Sequence, residues 1–189
     1  MKKSIKAFVA LIMMCVMPFA VNAQNADLDP ENTIYLDLEY GRVVIKMYPE
    51  VAPNHVARIK ELTREGFYDG LVFHRVIDGF MAQTGDPDGL DPDLSGRGGS
   101  GQNIDAEFSD LSHYKGMVSM ARGNDENSAD SQFFIVRGFS PHLDGQYTVW
   151  GEVVQGMRYV DKIKIGVVAQ GLADPDKIIK MQVAADVNE

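Results

Sequence analysis

The sequence predicts a mainly β protein whose antiparallel strands close into a barrel, and three observations carry that prediction. Short stretches alternating apolar and polar side chains at period two recur along most of the chain, whereas helical periodicity is confined to one longer and one short segment. No internal repeat is visible along the chain. Many short strands in one open sheet would leave edges exposed, and closure removes them.

The first 23 residues stand apart from this pattern. Lys2, Lys3 and Lys6 give a positive start, residues 7–21 are uncharged and apolar, and Val21-Asn22-Ala23 offers small residues for a signal peptidase. Residues 1–23 are therefore read as a signal peptide, 24–32 as a connector and 33–189 as the folded domain. A retained anchor is the alternative, but the apolar run falls short of the roughly 20 residues that a spanning helix needs. Export near Ala23 implies a periplasmic or secreted protein. The only cysteine, Cys15, lies in the leader, so the mature chain has no disulfide and depends on its core. About 166 residues suffice for one such core. Losing three lysines takes the net charge from −9 to about −12, which disfavours nucleic acid and anionic membranes as partners.

Within the domain, residues 33–39 and 43–48 alternate around Tyr40-Gly41-Arg42 and read as a hairpin. Pro53 suits the first turn of a helix running to about Glu65, with Val56, Ile59 and Leu62 on one face. Two short strands joined at Asp78-Gly79 follow in residues 73–86, FHRVIDGFMAQTGD. Alternation there puts Phe73, Arg75 and Ile77 on one side, so a cation lies in line with two large hydrophobes. Residues 87–101 are too rich in glycine, proline and aspartate for regular structure. Further strands are predicted at 116–121, 131–136, 147–154 and 176–187, with a short helix at 157–163.

Three blocks combine polar and apolar residues in one order: FHRVIDGFMAQTGD at 73–86, SQFFIV at 131–136, and Leu143-Asp144-Gly145 followed by Tyr147-Thr148-Val149-Trp150-Gly151. Together they resemble the signature of the cyclophilin family of peptidyl-prolyl cis-trans isomerases, over a span from about Thr33 to Val187. The resemblance implies an eight-stranded barrel with two helices covering its ends. It also implies rotation about X-Pro peptide bonds without metal or cofactor, proline-containing peptides and folding proteins as partners, and a monomer. By the same resemblance Arg75 is the catalytic residue. Phe80, Met81, Phe134 and Leu143 are similar to the residues of a proline pocket, and Gln83 orients Arg75 or holds the substrate carbonyl. Ala121, Arg122 and Gln132 lie where the family's peptide groove runs, with His142 and Tyr147 on its rim.

The chemistry asks for no nucleophile. Rotation about an X-Pro bond has a barrier near 20 kcal/mol because the nitrogen lone pair is delocalised into the carbonyl. At the twisted state the lone pair is localised, so a donor aimed at nitrogen binds that state better than either planar form. Arginine is always charged and carries its donors in a rigid fork. The mature chain offers no cysteine, no G-x-S-x-G elbow and no paired histidines at metal spacing.

Several positions depart from the usual family pattern. His142 stands where many relatives carry tryptophan, Tyr147 where many carry histidine, Arg122 where asparagine is common, and Thr84 where a second glycine is frequent. These changes imply weaker binding of cyclosporin-like ligands. The acidic loop 123–127 is expected beside a second substrate pocket, where it selects residues before proline by charge or is simply solvated. Asp86, Asp88, Asp91 and Asp93 miss the calcium-loop pattern and are explained by turn chemistry. A non-catalytic peptide-binding module and a barrel carrying an apolar ligand are the competing readings.

Overall fold

The computed structural model describes residues 28–187, so the leader assigned to 1–23, the start of the connector and the last two residues lie outside the described residues. The first hairpin consists of β1 (Thr33–Leu38) and β2 (Gly41–Met47), paired from Thr33 opposite Lys46 to Leu38 opposite Gly41. Gly41 is required twice over. Its φ is +131°, and a Cβ there would lie 2.7 Å from the Tyr159 ring.

Helix α1 (Pro53–Arg64) starts on proline as expected and ends one residue before Glu65, its C-terminal cap. Ala52 offers no side-chain cap, and Glu107 from a distant loop fills that role by accepting the backbone N–H of Asn54 at 3.1 Å and of His55 at 3.0 Å. The helix buries Val56, Ile59 and Leu62 in the main core.

The remaining elements are β3 (Arg75–Ile77), β4 (Met81–Thr84), β5 (Met117–Met120), β6 (Phe133–Val136), β7 (Val149–Gln155), α2 (Met157–Val160), β8 (Gly166–Val167) and β9 (Lys180–Val183). The short helix is a single turn instead of the seven residues expected from 157–163. The last strand occupies only the middle of the predicted stretch and runs into a 3-10 turn at Ala184–Asp186. The two-residue β8 was not anticipated, because so short a strand carries no periodicity.

The expected closed, eight-stranded barrel is corrected to an open, curled half-barrel. Nine strands form one antiparallel sheet in the order β8-β3-β4-β6-β5-β7-β2-β1-β9, and the end strands β8 and β9 do not pair. The argument from exposed edges failed because shortness and irregular chain protect them. The two-residue β8 offers little edge, and the segment before β3 meets the segment before β9 through a single bridge from Val72 to Lys177. Gly70 donates to the Ile178 carbonyl and Phe73 to the Asp176 carbonyl, each at 2.8 Å.

Strand register divides the residues between two faces. Val76, Ala82, Ile135 and Val118 lie opposite one another across β3, β4, β6 and β5 and join the main core with Phe133, Trp150 and Tyr68. That core fills the concave side. Arg75, Gln83, Phe134 and Ser119 form the adjacent row across the same four strands and face the other way. A second, smaller apolar cluster of Met81, Met117, Phe134, Val136, Leu143 and Val149 covers this outer face. Phe73 is an exception to the sequence reading. It is buried in the main core and does not share the face of Arg75, because regular pairing in β3 begins only at Arg75.

Candidate active site

On the outer face, Arg75, Phe80, Met81, Gln83, Ala121, Arg122, Phe134, Leu143 and Tyr147 line a cavity of about 150 Å³. Nine of the eleven residues singled out in the sequence are thus brought together. Gln132 lines the neighbouring cavity, and His142 is exposed on the rim, its ring 5.4 Å from that of Phe80. Met81, Phe134 and Leu143 are buried, so the apolar wall is fixed before any ligand arrives.

Among the described residues no carboxylate closes the half-buried guanidinium of Arg75 in an ion pair. Its Nη1 donates to Oε1 of Gln83 at 3.4 Å and lies 3.8 Å from the sulfur of Met81. Gln83 faces Arg75 because the two are opposite residues on β3 and β4. Its Nε2 donates to Oε1 of Gln132 at 2.9 Å, and Nε2 of Gln132 donates to the Gly98 carbonyl at 2.8 Å. The remaining donors of Arg75 are available to a ligand in the cavity.

Two of the departures from the family pattern prove to be coupled. Arg122 places its guanidinium 5.0 Å from the centre of the Tyr147 ring, and that ring meets Phe134 edge-on at 5.7 Å. Nε of Arg122 donates to the Gln146 carbonyl at 3.1 Å, and Nη1 to the Gly123 carbonyl at 3.0 Å. Thr84 turns its hydroxyl inward to the Val72 carbonyl at 2.9 Å and does not reach the groove.

Beyond Ala121 and Arg122 lies the second cavity, about 540 Å³, walled by the glycine-rich loop 96–101 and by Gly123, Ser128, Asp130 and Gln132. The acids of the loop 123–127 do not line it. Asp125 instead accepts the N–H of Asn127 at 2.9 Å in a local turn. The aspartates after β4 act similarly: Asp86 accepts the N–H groups of Asp88 and Gly96, and Asp91 that of Asp93.

One constellation was missed in the sequence. His113 is fully buried beneath the cavity, its ring stacked on Phe134 at 6.3 Å with an interplanar angle of 22°. Its Nδ1 lies 2.8 Å from Oδ1 of Asp144, and its Nε2 lies 2.9 Å from the hydroxyl of Ser119. The hydrogen bond from His113 holds the Asp144 carboxyl below its usual range. Ser119 is wholly buried, so this serine–histidine–aspartate chain supports the pocket floor and is no hydrolytic centre. Asp144 was visible in the Leu143-Asp144-Gly145 motif, but no local signal links it to a histidine 31 residues away.

The family model described as cyclophilin type peptidyl-prolyl cis-trans isomerase/CLD matches residues 33–183. The chain belongs to the cyclophilin family. Its enzymatic class is therefore that of the isomerases. A Brucella suis protein named as a probable peptidyl-prolyl cis-trans isomerase is 50% identical over 189 residues, covering 95% of this chain and 93% of the relative. Among solved structures, a cyclophilin from Hirschia baltica is similar with a TM-score of 0.74 at 30% identity, covering 85% of this chain and 77% of the other. A cyclophilin-type isomerase of Cryptosporidium parvum, solved in the presence of the dipeptide Ala-Pro, has a TM-score of 0.71 at 26% identity and covers 80% of this chain and 98% of its own.

Proposed function

We propose that this cyclophilin turns X-Pro bonds with Arg75 as the donor to the imide nitrogen, and that it assists the folding of proteins outside the cytoplasm. One observation carries the first half of this reading: an arginine without an ion-pair partner among the described residues shares a small apolar cavity with Phe80, Met81, Phe134 and Leu143. The proline ring occupies that cavity, and the peptide runs past Ala121, Arg122 and Gln132. His142 and Tyr147 bound the groove at its rim. As the bond twists, the nitrogen lone pair becomes a hydrogen-bond acceptor and Arg75 stabilises it. Gln83 holds the guanidinium fork in place, and the apolar wall keeps water from the amide. Lowering the barrier by about 7 kcal/mol would speed the turn roughly 10⁵-fold. The solved relative with Ala-Pro supports proline-containing peptides as ligands. Export rests on the basic start and apolar run of residues 1–23.

The test of the catalytic role is isomerisation of a short X-Pro peptide by the purified chain. Arg75→Ala should lower kcat/KM about 100-fold or more, the equivalent of about 3 kcal/mol of transition-state stabilisation, with the circular dichroism spectrum unchanged. Equal activity of wild type and variant would remove Arg75 from the mechanism.

A further inference from the structure

The glycine-rich loop 96–101 is fastened to the sheet by carboxylates on either side. Asp86 accepts the N–H of Gly96 at the start of the loop. At its far end Asp130 accepts the N–H groups of Gly101 at 2.8 Å and Gln102 at 3.3 Å, together with the Ser100 hydroxyl. That hydroxyl in turn accepts a hydrogen bond from Nη2 of Arg58 on α1 at 2.7 Å. The loop lies so close to its anchors that a Cβ on Gly98 would overlap the Asp86 carboxylate and one on Gly99 the Asp130 carboxylate.

Held in this way, the loop points the Gly98 carbonyl at Nε2 of Gln132 at 2.8 Å. A side-chain amide has one donating and one accepting end, so this contact fixes which end of Gln132 faces Gln83. Oε1 of Gln132 then accepts from Nε2 of Gln83 at 2.9 Å, which leaves Oε1 of Gln83 facing Nη1 of Arg75 at 3.4 Å. Reversing either amide would set donor against donor or acceptor against acceptor.

We propose that Asp130 is a positioning residue for the isomerase reaction, fixing the glycine-rich loop whose Gly98 carbonyl orients Gln132, Gln83 and through them the guanidinium of Arg75. The inference rests on the reading of Arg75 as the donor. Asp130 does not line the proline pocket but stands on the wall of the neighbouring cavity, so the relay is read in kcat, separately from any change in KM.

The experiment resolves kcat and KM for a short X-Pro peptide with the purified chain and six variants: Arg75→Ala, Asp130→Ala, Gln132→Glu, Ser100→Ala and the two doubles that combine Gln132→Glu with Asp130→Ala or with Ser100→Ala. Asp130→Ala should lower kcat about tenfold and leave KM within about twofold. Gln132→Glu keeps an acceptor for Gln83 but loses the donor to Gly98, and should lose about as much. The double variant should be no slower than Gln132→Glu alone, because both changes act through one contact. Ser100→Ala should lose about threefold and provides the same cycle with Gln132→Glu if Asp130→Ala does not fold. Unchanged kcat in Asp130→Ala, or losses that multiply in the double variant, would overturn the proposal. If Arg75→Ala were as active as wild type, the donor reading would fail and the relay with it. If Arg75→Ala were inactive but the losses multiplied, only the relay would be wrong.

Discussion

Arg75 is kept half-buried and hydrogen-bonded to a neutral amide, so among the described residues its charge is neither cancelled by a carboxylate nor left without a fixed partner. Neutral Gln83 directs the fork without competing for it electrostatically, whereas a carboxylate in its place would hold the guanidinium as a closed pair. The floor beneath is ordered by a second side-chain chain, Asp144–His113–Ser119, with His113 stacked on Phe134. The folded protein lowers the Asp144 pKa from 3.8, chiefly through the His113 hydrogen bond, so its contribution to stability is present above about pH 4 and disappears as pH falls further. Asp144→Ala should cost about 1–3 kcal/mol at pH 7, where the buried His113 ring and N–H lose an acceptor, and flatten the fall in stability below about pH 4. Urea unfolding of both proteins at pH 7 and 3.5 measures this. An unchanged midpoint at pH 7 would show that the chain does not brace the pocket.

At the scale of elements, strand alternation in β6 sends neighbouring phenylalanines to opposite faces of the sheet. Phe133 points to the concave side, fully buried, and meets Tyr68 and Trp150 edge-on at 5.5 Å each. Phe134, the next residue, points to the cavity. Phe133→Ala should destabilise the fold by about 3–5 kcal/mol, with the surviving folded fraction turning over normally. Phe134→Ala should cost less stability and raise KM for X-Pro peptides about tenfold or more. Denaturant melts beside activity per folded molecule distinguish the two. Equal losses of activity in both variants would mean that the faces are not independent. Helix α1 is joined to the rest at the same scale, since its N-terminus is capped by Glu107 and its Arg58 reaches the glycine-rich loop.

For the whole molecule, the proposal of export rests on the basic start and apolar run of residues 1–23, the acidic balance and the single cysteine at position 15. Expressed in a bacterium with two membranes, the chain should be recovered from the periplasmic fraction with Gln24 as its first residue, read by intact mass. Recovery of the full 189 residues in the cytoplasm would sink the export reading. Among the described residues no helix is long and apolar enough to cross a membrane.

The sequence made the hairpin of β1 and β2, the start of α1 and the Phe73–Asp86 block legible, because period and turn chemistry are local properties. The motif blocks likewise named nearly all the residues that line the cavity. Sheet closure was misjudged, since protection of an edge depends on what packs against it, as the bridge from Val72 to Lys177 does here. Phe73 was put on the wrong face because alternation cannot be counted across a point where pairing begins. His113 and Asp130 carried no signal of their own: one needs Asp144 and Phe134 beside it, the other a loop that begins some 30 residues earlier. Local pattern alone therefore determined that the fold is mainly β, and the resemblance carried by the motif blocks singled out Arg75 for a chemistry without a nucleophile. Only strand register, which sets residues far apart in the chain opposite one another, decided that Arg75, Gln83 and Phe134 form one row, and which buried groups hold that row in place.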